Sequence, residues 1–126
     1  MILGSKRQVA DILDKQPFVS IKGQQIERVN VARNLGVIMD SHLKFEQHIL
    51  DVVGTCFFRL KSLYRFRPYL SEDIRIRLCE TLVLSKLNYA DTAIGVNILA
   101  RTEKLVQRVQ NACVRFCFTV PPRAHV

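Results

Sequence analysis

Lys104, Arg108, Asn111 and Arg115 recur at steps of four, three and four, the spacing that aligns side chains along one face of a helix. A basic ridge of this kind can track phosphates, because arginine offers a bidentate fork to phosphate oxygens and an asparagine amide can reach sugars or base edges. A second basic group, Arg59, Lys61, Arg65 and Arg67, falls within nine residues and is interleaved with Leu60, Leu63, Tyr64 and Phe66. From Arg59 to the C-terminus there are twelve basic and five acidic residues, so +7 of the net charge of +8 lies in this part of the chain. A solvated helix face would show the same spacing. Tyr64 and Leu60 fall with the apolar residues, which suits core packing better than base stacking.

Other chemistry is sparse. His42 and His48 are six apart and do not share a helical face as a metal-binding pair four apart would. The glycines at 4, 23, 36, 54 and 95 form no GxxxxGK[ST] or GxGxxG phosphate cradle. There is no GxSxG elbow and no pair of acids on a strand that would hold two magnesium ions. Asp40 closes a strand-like run alone and reads as a helix-start residue. Cys113 and Cys117, with His125 beyond them, would leave a zinc ion short of a fourth ligand, so they read as core thiols. With four cysteines and no short-spaced pair in a turn, a reduced state is expected.

The elements that must position the ridges come from a chain of 126 residues, 48% hydrophobic and 24% charged. This is enough for one compact domain and too little for a complete polymerase, kinase or transporter. A pI near 9.7 favours polyanionic partners: RNA, DNA or acidic protein surfaces. No apolar run approaches the roughly 18 to 20 residues of a membrane span. Met1-Ile-Leu-Gly-Ser-Lys-Arg lacks a signal-peptide core. The expectation is an intracellular protein, cytoplasmic or nuclear, with no membrane partner.

The expected fold class is α+β, with short strands over residues 1–40 and a helical region over 41–126. Phe18 to Val29 alternates around Lys22-Gly23, a hairpin pattern, and Leu35-Gly-Val-Ile-Met-Asp is a further strand-like run. Residues 6–17 read as a connecting loop, with at most one helical turn around Val9, Ile12 and Leu13. From Phe45 the period lengthens: Ile49, Val52, Val53, Cys56, Leu60 and Leu63 mark a long amphipathic helix that Arg67-Pro68 should end. Ser71-Glu72-Asp73 opens a second helix to about Lys86, apolar over most of its circumference. Thr92–Ala100 is ambiguous. Thr102-Glu103 should cap a third helix that Pro121-Pro122 stops, leaving a loose tail.

The order of these pieces resembles the region just downstream of the catalytic palm in reverse transcriptases of non-LTR retrotransposons, especially the jockey-like group. The pieces that carry the resemblance are Met1-Ile-Leu-Gly-Ser, the turn at Lys22-Gly23, and Ala32-Arg-Asn-Leu-Gly-Val-Ile-Met-Asp with Leu43, Phe45 and His48-Ile49. Leu84-Ser-Lys-Leu-Asn-Tyr-Ala-Asp and Lys104-Leu-Val-Gln-Arg-Val-Gln-Asn-Ala-Cys-Val-Arg-Phe complete it, so that it spans residues 1 to about 118. The resemblance implies that Asn34, Leu35, Gly36 and Val37 form a primer-grip-like turn and that the helices form a thumb, cradling a template–primer duplex through its backbone. Arg59, Lys61, Arg65, Lys104, Arg108, Asn111 and Arg115 would then face nucleic acid. The family's two-aspartate box, which holds its catalytic magnesium ions, is not among these residues, so no polymerase activity and no cofactor are expected of this chain alone. Its expected partners are duplex nucleic acid, the palm and fingers of a parent polymerase, and a second copy, because strands normally supported by a palm leave exposed edges. The rival expectation is a small helical protein-interaction module descended from such an element.

Overall fold

The computed structural model describes residues 1–15, 18–89, 94, 99–118 and 120. The expected α+β class is what it shows: short antiparallel strand pairs followed by a helical bundle. The first element differs from expectation. Residues Lys6–Asp14 form a helix, α1, not a loop. Ser5 Oγ accepts from the Gln8 N–H while Gln8 Oε1 accepts from the Ser5 N–H, at 3.3 and 3.0 Å. This reciprocal cap satisfies two orphan donors and lets a short segment of mixed polarity hold a helix.

The hairpin around Lys22-Gly23 is present but brief, pairing β1 (Ser20–Ile21) with β2 (Gln24–Gln25). A second hairpin pairs β3 (Val31–Asn34) with β4 (Val37–Asp40), in the register Asn34 with Val37 and Val31 with Asp40. Its two-residue turn is Leu35-Gly36, with φ of 47° and 83°. Both turn residues are left-handed, as hairpin geometry with right-twisted strands demands. Gly36 supplies this freely, whereas Leu35 holds it against the steric preference of a side chain.

Asp40, expected as a helix-start residue, instead fastens the loop before the next helix, whose N-cap is Phe45 and carries no side-chain cap. Its carboxylate accepts from the backbone N–H groups of His42, Lys44 and Phe45 at 3.1, 2.8 and 2.9 Å. Leu43 and Phe45, both at positive φ, are held in this loop, and α2 (Glu46–Tyr64) begins directly after it. Burial tends to raise the Asp40 carboxyl, but the N–H donors of Phe45, His42 and Lys44 outweigh it and hold the group below the ordinary carboxylate range.

Helix α2 stops at Tyr64, and Arg67–Tyr69 make one 3₁₀ turn around Pro68. The second helix, α3 (Glu72–Leu78), opens after Ser71 and runs on through a π-helical stretch, Cys79–Leu84, into a last α-helical turn, Ser85–Asn88. The wide turns are tied to α2 by side chains: Arg59 Nη1 donates to the Leu82 carbonyl and Cys56 Sγ donates to that of Val83 at 3.6 Å. Carbonyls that lose regular helical partners in a π segment thus find donors on the neighbouring helix.

The last helix, α4 (Ala100–Phe118), starts earlier than expected. Thr102 lies inside it, fully buried, and donates its hydroxyl to the Leu99 carbonyl at 2.7 Å. The helix therefore begins on Leu99, whose carbonyl also takes the N–H groups of Thr102 and Glu103. The expected stop at Pro121-Pro122, the loose tail and most of the ambiguous stretch before Ala100 lie outside the described residues.

Helices α2 and α4 run parallel. Arg101 pairs with Glu46 at 2.5 Å near their starts, and Tyr64 meets Phe116 edge-on at 5.1 Å near their ends. The α3 run lies antiparallel to both. Ile49, Val53, Cys56 and Leu60 from α2, Cys79 and Val83 from the α3 run, and Val109, Cys113, Phe116 and Cys117 from α4 form the core, with Phe45 and Ile94. Val37 and Met39 of β4 pack against this core, whereas α1 contributes one buried residue, Val9. The C-terminal carbonyls of α4 are closed by two guanidinium groups. Arg67 donates to Arg115 and Phe116, each at 3.0 Å, and Arg75 donates to Phe116 at 3.4 Å. Cationic donors at a helix C-terminus satisfy orphan carbonyls and oppose the negative end of the dipole.

The four cysteines are free thiols, all buried. Burial and its contact with Cys79 push Cys117 up to about 12. Among the described residues no group of three His, Cys, Asp or Glu side chains is placed to hold a metal ion. His125 lies outside them.

Candidate nucleic-acid interface

Where the β3–β4 turn, the middle of α2 and the last turn of the α3 run meet, they enclose an open cleft of about 400 Å³. Arg33 enters from β3, Arg59 and His48 from α2, and Lys86 from the last turn of the α3 run. Thr55, Ser85 and Tyr89 add hydroxyls, and Asp51 is the one acid on the wall. Three cations against one carboxylate give the cleft a positive field, focused by low-dielectric walls.

The turn at its mouth is fixed from below. Tyr89 Oη donates to the Leu35 carbonyl at 2.6 Å, and a Cβ on Gly36 would stand 3.8 Å from the Tyr89 ring. Gly36 therefore meets two demands at once, a left-handed backbone and room for Tyr89. Leu35 is 84% exposed, an apolar side chain held outward in a strained conformation at the lip of a basic cleft. Strain of this kind persists only where the surroundings over-determine it, and it concentrates at functional sites.

His48 couples the hairpin to α2. It is 5% exposed, and its Nδ1 accepts from the Ile38 N–H at 3.3 Å, so the imidazole must be neutral at that atom. Burial pushes His48 below its ordinary range, Arg33 and Lys86 push the same way, and Asp51 opposes them.

Of the residues singled out in the sequence, Arg59, Leu35 and Gly36 line this cleft, while Asn34 and Val37 close the turn as a strand pair. Lys61 on α2 and Arg65 just past its end are exposed and do not line it. On α4, Lys104 and Arg108 are exposed, but the ridge sinks towards its end. Asn111 is half-buried and accepts from Gln107 Nε2 at 2.8 Å, and Arg115 is half-buried beside the Arg67 cap. The expected row of four is thus two exposed cations followed by two partly enclosed side chains.

Sequence reasoning missed Arg33, His48, Lys86 and Tyr89 as members of one site. Arg33 precedes the turn that was singled out, and Lys86 and Tyr89 lie in a segment quoted for its resemblance, so proximity along the chain was the only signal available. Their convergence depends on a 54-residue separation being closed between Leu35 and Tyr89.

No helix among the described residues is long and apolar enough to cross a membrane. Comparison with protein-family models, with curated proteins and with solved structures finds no match to this chain.

Proposed function

We propose that this chain binds the sugar–phosphate backbone of duplex nucleic acid through the cleft beside the Leu35–Gly36 turn, as the primer-grip and thumb segment of a retrotransposon reverse transcriptase. The observation that carries this reading is the convergence of Arg33, Arg59 and Lys86, from three separate elements, on one face of that turn. Cations in a fixed array suit a repeating anion, whereas the hydroxyls of Thr55, Ser85 and Tyr89 already donate to the backbone carbonyls of Asp51, Thr81 and Leu35 and so shape the wall without donating to phosphate. Lys104 and Arg108 supply a second, exposed contact for the same backbone. The segment order, a strained hairpin turn followed by a helical bundle, supports the same assignment. Binding of this kind is independent of sequence and weakens with salt. The reading gives the chain no catalytic step and no metal of its own.

The test is fluorescence anisotropy with a labelled RNA/DNA hybrid across salt concentrations, comparing the native chain with Arg33→Ala/Lys86→Ala and with Lys104→Ala/Arg108→Ala. Each lost phosphate contact should reduce the log–log salt slope by roughly 0.7 to 0.9. The cleft pair should therefore flatten the slope by about 1.5 and weaken binding at every sequence tested. A native slope near zero, or a cleft double variant indistinguishable from the native chain, overturns the reading. A protein-interaction module is favoured by a different observation, the apolar side chains Phe18, Val19 and Ile26 left exposed around an open cavity of about 660 Å³ near the N-terminus. A stable complex with a protein partner, in a folded chain that ignores nucleic acid, would support that second reading.

A further inference from the structure

The face of α2 turned away from the core borders the cleft along Asp51 and Thr55, and beyond them it carries exposed apolar side chains. Leu50, Gly54 and Phe58 follow one another at steps of four along it, and Leu50 and Phe58 are 43% and 72% exposed. A Cβ at Gly54 would meet nothing within 4 Å. Gly54 is the floor of a shallow depression of about 430 Å³, whose rim is Leu50, Asp51, Thr55 and Phe58. A helix-interior glycine costs about 1 kcal/mol relative to alanine, so an open one with no local steric need is unexplained by the isolated fold. Charge is graded along the same helix: Glu46 and Asp51 stand in its first half, Arg59 and Lys61 in its second.

From this geometry we infer that the outward face of α2 pairs with the same face of a second copy, antiparallel, crossing at Gly54. In a two-fold arrangement the residue k places after Gly54 meets the one k places before it on the partner. Phe58 then lies over Leu50 of the other copy, and Leu50 under the other Phe58, with the two glycines letting the backbones approach. At 1.5 Å per residue Asp51 and the second copy's Lys61 are offset by about 6 Å along the axis, within reach of a lysine stem. The pair occurs twice by symmetry. A parallel arrangement would instead set acid against acid and base against base, so the charge gradient selects the antiparallel one. A single helix pair sits at the small end of stable interfaces, so a weak, concentration-dependent dimer is expected. Lys61, which does not line the cleft, acquires in this way a protein contact in place of a phosphate one.

Sedimentation velocity of the full chain without nucleic acid, from about 1 to 200 μM, tests the pairing. The native chain should shift from monomer to dimer, Asp51→Lys and Lys61→Asp should each weaken association about tenfold, and the double variant should regain it to within about threefold. Gly54→Leu, which has open space and a better helix former, should keep the fold by circular dichroism and lose the dimer. A native chain monomeric throughout, a Gly54→Leu variant that still dimerises, or a double charge exchange that rescues nothing would each overturn the inference.

Discussion

Replacing Asp40 with alanine removes the acceptor of three backbone N–H groups at 2.8 to 3.1 Å and releases a loop in which Leu43 and Phe45 hold positive φ. A hydrogen bond to a charged group contributes about 1.5 to 3 kcal/mol when enclosed. Water can replace part of that here, because the loop is half-exposed, so a total loss of about 2 to 3 kcal/mol is expected. With a urea dependence of about 1.5 to 2 kcal/mol per molar for a domain of this size, the midpoint should fall by about 1 to 1.5 M. Asparagine should cost about half as much, since Oδ1 alone serves Lys44 and Phe45 while Oδ2 serves only His42. The folded carboxyl titrates below its ordinary value, so its contribution is fully present above the unfolded pKa of about 3.9 and is lost as pH falls through the folded one. Urea melts of native and Asp40→Ala chains should therefore differ by a constant amount between about pH 5 and 8 and converge below about pH 4. A difference under about 0.5 kcal/mol at neutral pH, or one that persists unchanged into strong acid, would refute this account of the loop. Because the loop joins β4 to α2, the same variant should also weaken nucleic-acid binding by moving Arg33 relative to Arg59.

His48 is held below its ordinary range by burial, so the unfolded chain takes up its proton first; stability should be full above about pH 6.5 and decline as pH falls towards the folded value, and His48→Asn should flatten that decline in thermal melts. Arg67→Ala removes two donors from the end of α4 and a guanidinium 5.6 Å from the Tyr64 ring. It should cost about 2 kcal/mol in denaturant titration, with lysine recovering less than half because it lacks the fork. The four thiols should resist iodoacetamide in the native state and react together on unfolding, as mass spectrometry would show, since all are buried and Cys117 is pushed up to about 12.

Much of the fold was legible locally. The 3.6-residue period from Phe45 onwards and Pro68 as a stop reflect interactions within a few residues, which the chain carries wherever it is placed. The capping box at Ser5 and Gln8 is equally local, but the helix it starts is short and polar on average, which makes it read as a loop. The cap of α4 lies three residues before the expected Thr102, at Leu99, because a threonine can cap a helix or, as Thr102 does, bury itself in the first turn and bond backwards.

The candidate site is of another kind. Basic residues at helical spacing on α4 and a glycine turn after a strand were visible as patterns, yet spacing along a helix reports a shared face and not what that face meets. Only packing brings Tyr89 under Leu35, Lys86 towards His48, and Arg59 to the π-helical carbonyl of Leu82. The sequence by itself determined the helices, the turns and the surplus of positive charge, because each arises from neighbours in the chain. The tertiary structure alone decided which of those charges share a cleft, because that depends on contacts between residues as far apart as Arg33 and Lys86, which no local rule connects.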